Sequence, residues 1–123
     1  MLDISENDIG SDNFMILMPI FNSNTQIETL NVADCMLDGY CAEALCQILK
    51  QSNSKLKTLK FRNSKLREVG AHAIADLIRG HMTLVLLEIF NCEIDEAGGN
   101  AIGNALKTNF CIEKLSIGEN ILH

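Results

Sequence analysis

Five cysteines, three histidines and one Gly-Gly pair are the residues of this chain whose types could do chemistry unaided. Cys35, Cys41, Cys46, Cys92 and Cys111 are an odd set, and no two are separated by two residues. That spacing suits neither a closed disulfide framework nor a zinc site, and implies free thiols in a reducing, cytoplasmic setting. His72, His81 and His123 stand at unrelated positions, without Cys, Asp or Glu recurring around them at ligand spacing. No metal site is expected from them. Gly98 and Gly99 are not followed by Lys-Ser/Thr, so they do not open a phosphate-cradling loop. In the acidic stretch Glu93 to Gly99, Asp95 and Glu96 instead fall near a helix start, where carboxylates cap free N–H groups and complement the dipole, which argues against calcium. No nucleophile, base and orienting group recur at a workable spacing. Neither an enzyme nor a cofactor is expected.

Charge and length narrow the alternatives. The net charge is −6 and the pI about 4.9. A nucleic-acid surface would need clustered cations to displace counterions, so nucleic acid is not an expected partner. The longest apolar stretch, Phe14 to Phe21, is about eight residues against the roughly 20 that cross a bilayer, and no membrane segment or secretory leader is expected. The absence of an Asn-x-Ser/Thr sequon agrees with an intracellular location. With 123 residues, 47% of them hydrophobic, the chain supports one continuous core. A single domain over residues 1–123 is expected.

Recognition chemistry is better represented, and a repeat positions it. The segments IETLNVADC (27–35), LKTLKFRNS (56–64), LVLLEIFNC (84–92) and IEKLSIGEN (112–120) align, with Leu30, Leu59, Leu87 and Leu115 in phase. LDISEN (2–7) supplies the rear part of a further copy, giving about five, the first and last incomplete. Ile9, Leu37, Leu66, Ile94 and Leu122 keep the same register, as do Leu17, Leu45, Ile74 and Ile102, and Phe21, Leu49, Ile78 and Leu106. Each copy opens with a strand-like period of two and continues with the i, i+3, i+4 spacing of a helix. Helices are predicted near 12–21, 39–51, 68–80 and 96–108. One such unit cannot bury its apolar face alone, so the copies must stack, strands on one side and helices on the other. Strands about 4.8 Å apart against helices about 8–10 Å apart require the stack to curve with the strands inside.

This pattern resembles the leucine-rich repeat family, and its 28-residue period with a helix in each copy resembles the ribonuclease-inhibitor-like subclass. The resemblance implies an α/β fold: a curved right-handed βα solenoid with a parallel sheet on the concave face and helices on the convex face. The small polar position that closes each strand motif is Asn7, Cys35, Ser64, Cys92 and Asn120, where a side chain can bond backbone groups turning out of the strand. Ser64 departs from the family's Asn or Cys, and a weaker turn is expected there. Gly70 and Gly98 share a position at helix starts. Pro19 should shorten or kink the first helix near Met18.

The resemblance also implies that residues between and after the consensus leucines face the concave side: Asp3, Ser5 and Glu6; Glu28, Asn31, Ala33 and Asp34; Lys60, Arg62 and Asn63; Glu88, Phe90 and Asn91; Ser116, Gly118 and Glu119. The face runs acidic, then basic, then mixed with an exposed aromatic. Lys60, Arg62, Glu88, Phe90, Asn31 and Asp34 are the expected contacts for a protein partner, because aromatic and Arg side chains dominate binding energies. A face of on the order of 300 Å² is small against the roughly 800 Å² of a stable interface, so adjoining loops should contribute. Two alternatives stand beside this binding scaffold. One is a GTPase-activating or other enzyme-regulating repeat protein, for which the turns offer Lys65, Arg67 and Glu93 without singling one out. The other is a structural segment of a longer array, because Leu2 and Ile4 near one end and Ile121 and Leu122 near the other leave apolar faces for further repeats or self-association.

Overall fold

A strand with period-two leucines next to a helix with 3.6-residue spacing has one way to bury both apolar sides: the helix lies behind its own strand and the next copy stacks beside it. The computed structural model describes residues 1–23, 26–52, 55–80, 83–109 and 111–120 and has this arrangement. The elements are β1 (Leu2–Asp3), α1 (Gly10–Ser23), β2 (Thr29–Asn31), α2 (Gly39–Ser52), β3 (Thr58–Lys60), α3 (Arg67–Gly80), β4 (Leu86–Glu88), α4 (Glu96–Leu106) and β5 (Lys114–Ser116). The strands form one parallel sheet in chain order, with Leu2, Leu30, Leu59, Leu87 and Leu115 in register across it. Each helix packs on the next in sequence. This is the expected α/β solenoid. Leu122, His81, His123 and Ile121 lie outside the described residues.

The core runs between sheet and helices along the stack. Leu30, Leu59 and Leu87 are fully buried from the strands, as are Leu45, Ile74 and Ile78 from the helices. Pro19 does not shorten α1, which has the same 14 residues as α2 and α3. Phe14 on one side of the proline and Phe21 on the other are both buried, with their rings 5.5 Å apart. Packing on both sides of the break thus holds the helix through it. At the other end α4 stops at Leu106, two residues short of the sequence expectation.

The position that closes each strand forms the predicted ladder. Asn7 Nδ2 donates to the Ile4 carbonyl at 2.8 Å, Cys35 Sγ to Ile4 at 2.9 Å, and Cys92 Sγ to Phe61 at 3.2 Å. Asn120 does most, donating to Ile89 and Ile117 carbonyls at 2.9 and 2.7 Å while its oxygen accepts from the Cys92 and Ile94 N–H groups. Ser64, 2% exposed, has a hydroxyl without a partner among the described residues. Its side chain is too short to reach where the others bond, which is the expected weak turn.

The turns also alternate, which the sequence reading did not anticipate. After Cys35 and Cys92 the helix begins four residues on, the next residue (Met36, Glu93) takes a left-handed φ of 59° or 55°, and an aspartate caps the helix. Asp38 accepts from Cys41 N and Asp95 from Gly98 N, both at 2.9 Å. After Asn7 and Ser64 the helix begins three residues on, and its first residue (Gly10, Arg67) takes the left-handed φ. Where the two turn types meet, Gly39 and Gly70 bring α2 and α3 together. A Cβ on Gly39 would sit 2.4 Å from the Leu66 carbonyl oxygen.

Candidate binding face

The concave face is built by the half of each strand that does not feed the core. In β3 and the two residues after it, Leu59 and Phe61 point inward and are fully buried, so Lys60 and Arg62 point outward. Strand register sets Lys60 between Asn31 and Glu88. The structure therefore brings Asn31, Lys60 and Glu88 side by side. One step toward the C-terminal edge, the Arg62 guanidinium carbon lies 5.5 Å from the centre of the Phe90 ring, a cation–π arrangement. On its other side the ring lies against Gly118, where an added Cβ would be 3.3 Å from it. Phe90 is thus half-buried across three strands rather than the openly exposed aromatic expected. Ala33, placed on this face by sequence, is buried at 6% exposure.

Hydrogen bonds tie the polar positions from strand to strand. Asn31 Nδ2 donates to Asp3 at 3.4 Å, and its oxygen accepts from the Ala33 N–H at 3.0 Å. Hydrogen bonds from the Ser5 hydroxyl and N–H hold the Asp3 carboxyl below its ordinary range. Asp34 accepts from Asn63 Nδ2 at 2.7 Å, and Asn63 accepts from Asn91 Nδ2 at 2.9 Å. Asp34, Asn63 and Asn91 all have φ between 54° and 59°, in the left-handed region that short amide and carboxylate side chains tolerate better than branched ones. Asp34 is therefore as much a turn residue as a contact residue.

The other chemically competent residues are placed elsewhere. His72 sits on the outer surface of α3, 3.5 Å from Glu68 one turn back. Cys41, Cys46 and Cys92 are buried, and burial pushes their thiols up to about 12, about 12 and about 11; the same cause raises Cys35. Protonated thiols of that kind are poor nucleophiles. Arg67 is held by Glu93 at 2.8 Å instead of projecting alone from its turn. Among the described residues no three His, Cys, Asp or Glu side chains gather where they could hold a metal ion, and no helix is long and apolar enough to cross a membrane.

Two exposed large hydrophobic residues escaped the sequence reading. Met36 and Tyr40 are 64% and 71% exposed at the edge where strands turn out toward helices. The repeat alignment carried the signal: Met36 stands where three of the other four copies have Asp8, Lys65 and Glu93, the last copy having Ile121. An exposed apolar side chain at a position charged in three of the other four copies is the informative kind of exposure.

Buried leucine register, side-chain ladder and outward strand positions together define a leucine-rich repeat solenoid of the ribonuclease-inhibitor-like kind. No family model matches the sequence. The chain is 25% identical over 121 residues to the ribonuclease inhibitor of Sus scrofa, covering 97% of this chain and 26% of that protein. It is 25% identical over 123 residues to the NACHT, LRR and PYD domains-containing protein 3 of Mus musculus, covering 98% of this chain and 12% of the relative. The human centrosomal protein of 78 kDa matches at 24% over 144 residues, 21% of its length. The chain thus spans about a quarter or less of these curated relatives. Among solved structures it resembles leiomodin-1 actin-binding site 2, with a TM-score of 0.78 at 20% identity, over 99% of this chain and 69% of that one.

Proposed function

We propose that this chain is a protein-binding module without catalytic activity, residues 1–123 acting as one repeat domain. It holds its partner on the concave face and the adjoining turn edge. The observation that carries the reading is Arg62 stacked over Phe90, an aromatic and an arginine side by side at an outward position of a regular scaffold. Lys60, Glu88, Asn31 and Asp34 surround them and supply polar contacts. Ribonuclease inhibitor and leiomodin-1 actin-binding site 2, similar in sequence and fold respectively, carry names that denote protein partners, which supports the class. Five free thiols support a reducing, cytoplasmic location, and the net charge of −6 supports a protein rather than a nucleic-acid partner.

A photo-cross-linking amino acid in place of Glu88 identifies what the face touches, and calorimetry with the isolated partner then tests the residues. Arg62→Ala with Phe90→Ala should weaken binding at least about tenfold, the scale of an interface hot spot, while Glu43→Ala on the convex side changes it less than about twofold. Equal affinities for the concave and convex variants would sink the concave-face reading.

One observation favours stacking as a second reading. Ile16 and Ile20 of α1 are 74% and 46% exposed, at positions matched by Ala44 and Ile48, Ala73 and Leu77, and Ala101 and Ala105, all buried or half-buried. That patch would be covered by further repeats or a second copy. A GTPase-regulating role gains no such support, because Glu93 already engages the one turn arginine that α3 presents.

A further inference from the structure

Six of the chain's ten cations, Lys55, Lys57, Lys60, Arg62, Lys65 and Arg67, fall within thirteen consecutive residues that contain no Asp or Glu. The fold lays that segment across the whole solenoid, from the turn before β3, over the concave face and out to the turn before α3. Its outer members are engaged: Lys57 meets Glu28 at 3.3 Å, Lys55 donates to the Gln26 amide oxygen at 2.8 Å, and Arg67 meets Glu93. Among the described residues, the middle three, Lys60, Arg62 and Lys65, make no ion pair. Arg62 stacks on Phe90 and shares a hollow with Glu6, Asp8 and Asp34, pairing with none of them.

The stripe ends between two open hollows. One, of about 520 Å³, has Glu6, Asp8, Asp34, Met36 and Arg62 in its walls and is acidic, so it is not the seat of an acidic ligand. The other, of about 300 Å³ and mostly apolar, is lined by Leu66, Val69 and Tyr40, with Lys65 and Arg67 at its border beside Asp38 and Glu68. A mostly apolar hollow at the end of a line of cations that make no ion pair among the described residues describes a ligand with carboxylates along its length and a large apolar group at one end.

We propose that the third repeat is a docking stripe for an extended acidic segment of the partner protein, laid along β3, with one large apolar side chain seated beside Tyr40. The inference rests on the protein-binding reading and adds the partner's chemistry to it. Alternate side chains of an extended peptide project to one side about every 6.6 Å, the same interval that separates Lys60 from Arg62 on their own strand. A nucleic-acid strand fits less well. The stripe is one strand wide, with Glu28 and Asp34 on one side and Glu88 and Glu93 on the other, and these carboxylates repel a polyanion whose phosphates recur at every unit.

The probe is a fluorescein-labelled peptide of about twelve residues, alternating Glu and Ser and ending in Phe, followed by fluorescence anisotropy on the full chain at low salt. Saturable binding is expected, weakening at least about threefold when salt is raised to physiological strength. Lys60→Glu with Arg62→Glu should reduce affinity at least about tenfold and Tyr40→Ala about fivefold, whereas Lys114→Glu, on β5 outside the stripe, should leave it within about twofold. Thermal unfolding confirms that each variant is folded, and a variant that is not is replaced by Arg62→Gln. Absence of saturable binding at about millimolar peptide overturns the proposal. So does equal weakening by Lys114→Glu, or tighter binding of a single-stranded oligonucleotide of the same charge. Should the peptide fail while a cross-linked partner still depends on Phe90, the stripe is wrong and the concave-face reading survives; loss of that dependence removes both.

Discussion

Ser64→Asn should stabilise the protein, and the structure sets the size of the effect. Asn120 shows what the side chain does in the same position: two bonds to carbonyls of its own and the preceding repeat, and two accepted from N–H groups of the preceding repeat. The corresponding groups around Ser64 are the Phe61 and Val32 carbonyls and the Cys35 and Leu37 N–H groups, one repeat earlier in register. The Ser64 hydroxyl bonds none of them. Each bond made nets about 1 kcal/mol, and fixing a longer side chain removes part of the gain, so a net of about 1–2 kcal/mol is expected. For a chain of this size that corresponds to roughly 3–10 °C in Tm.

Urea and thermal unfolding of four proteins, the parent and Ser64 changed to Asn, Cys or Ala, separate the contributions. Cys should gain less than Asn, because Cys35 and Cys92 show a thiol reaching one interstrand carbonyl each. Ala should lie within about 0.5 kcal/mol of the parent, because the hydroxyl it removes is already unpartnered. A destabilised Ser64→Asn with an unchanged Ser64→Ala would show that the turn has no room. A loss above about 1 kcal/mol in Ser64→Ala would show that the hydroxyl does bond in solution, and the reasoning would fail.

The thiols give a second set of expectations. In the native protein at pH 8 a disulfide reagent should titrate Cys111 quickly, while Cys35, Cys41, Cys46 and Cys92 react only on unfolding, because they are buried and held protonated. Those raised values make stability fall with alkalinity. Below about pH 9 both states hold the protons; above it the unfolded chain releases them while the folded chain retains them. Denaturant midpoints should therefore drop from pH 9 toward 11, by up to about 1.4 kcal/mol per pH unit for each thiol, and replacing Cys46 with Ala should flatten the slope. Gly39→Ala should destabilise by about 2–3 kcal/mol, since its Cβ meets the Leu66 carbonyl oxygen. Gly103→Ala, in α4 with nothing within 4 Å of the new atom, should instead gain about 0.5–1 kcal/mol in the same unfolding assay.

How much of this was legible in the sequence depended on whether a residue's environment repeats. Leu30, Leu59 and Leu87 could be assigned to the core because the same demand recurs every 28 or 29 residues, and Ser64 could be marked as weak for the same reason. Phe90 was misjudged because its surroundings are assembled from three different strands, Arg62 on one side and Gly118 on the other, and no periodicity reports such a contact. The alternating turns were hidden for another reason. Their signature is a one-residue shift in helix start and a left-handed φ at Met36, Glu93 or Arg67, neither of which alters the apolar pattern. Asp38 and Asp95, 57 residues apart, were the visible trace of that two-repeat period, and only Asp95 was read as a cap.

The departures from regularity are not scattered. Between the second and third copies the strand spacing lengthens to 29, Leu30 pairing with Leu59. There Ser64 leaves its ladder position unbonded, and Gly39 and Gly70 bring two helices into backbone contact. Met36 and Tyr40 stand exposed at the same junction, and the cation stripe runs along its far side. In a solenoid every repeat faces the same packing problem, so a repeat that solves it less well than its neighbours has been shaped by something other than packing. Binding offers one common cause. The unbonded Ser64 hydroxyl and the tight Gly39 contact with Leu66 flank the turn whose Lys65 and Arg67 share a hollow with Tyr40. On this argument Ser64→Asn should stabilise the fold and at the same time weaken acidic-peptide binding, by repositioning Lys65. Stability that rises while peptide affinity stays unchanged would separate the two and leave the irregular turn without a role in recognition.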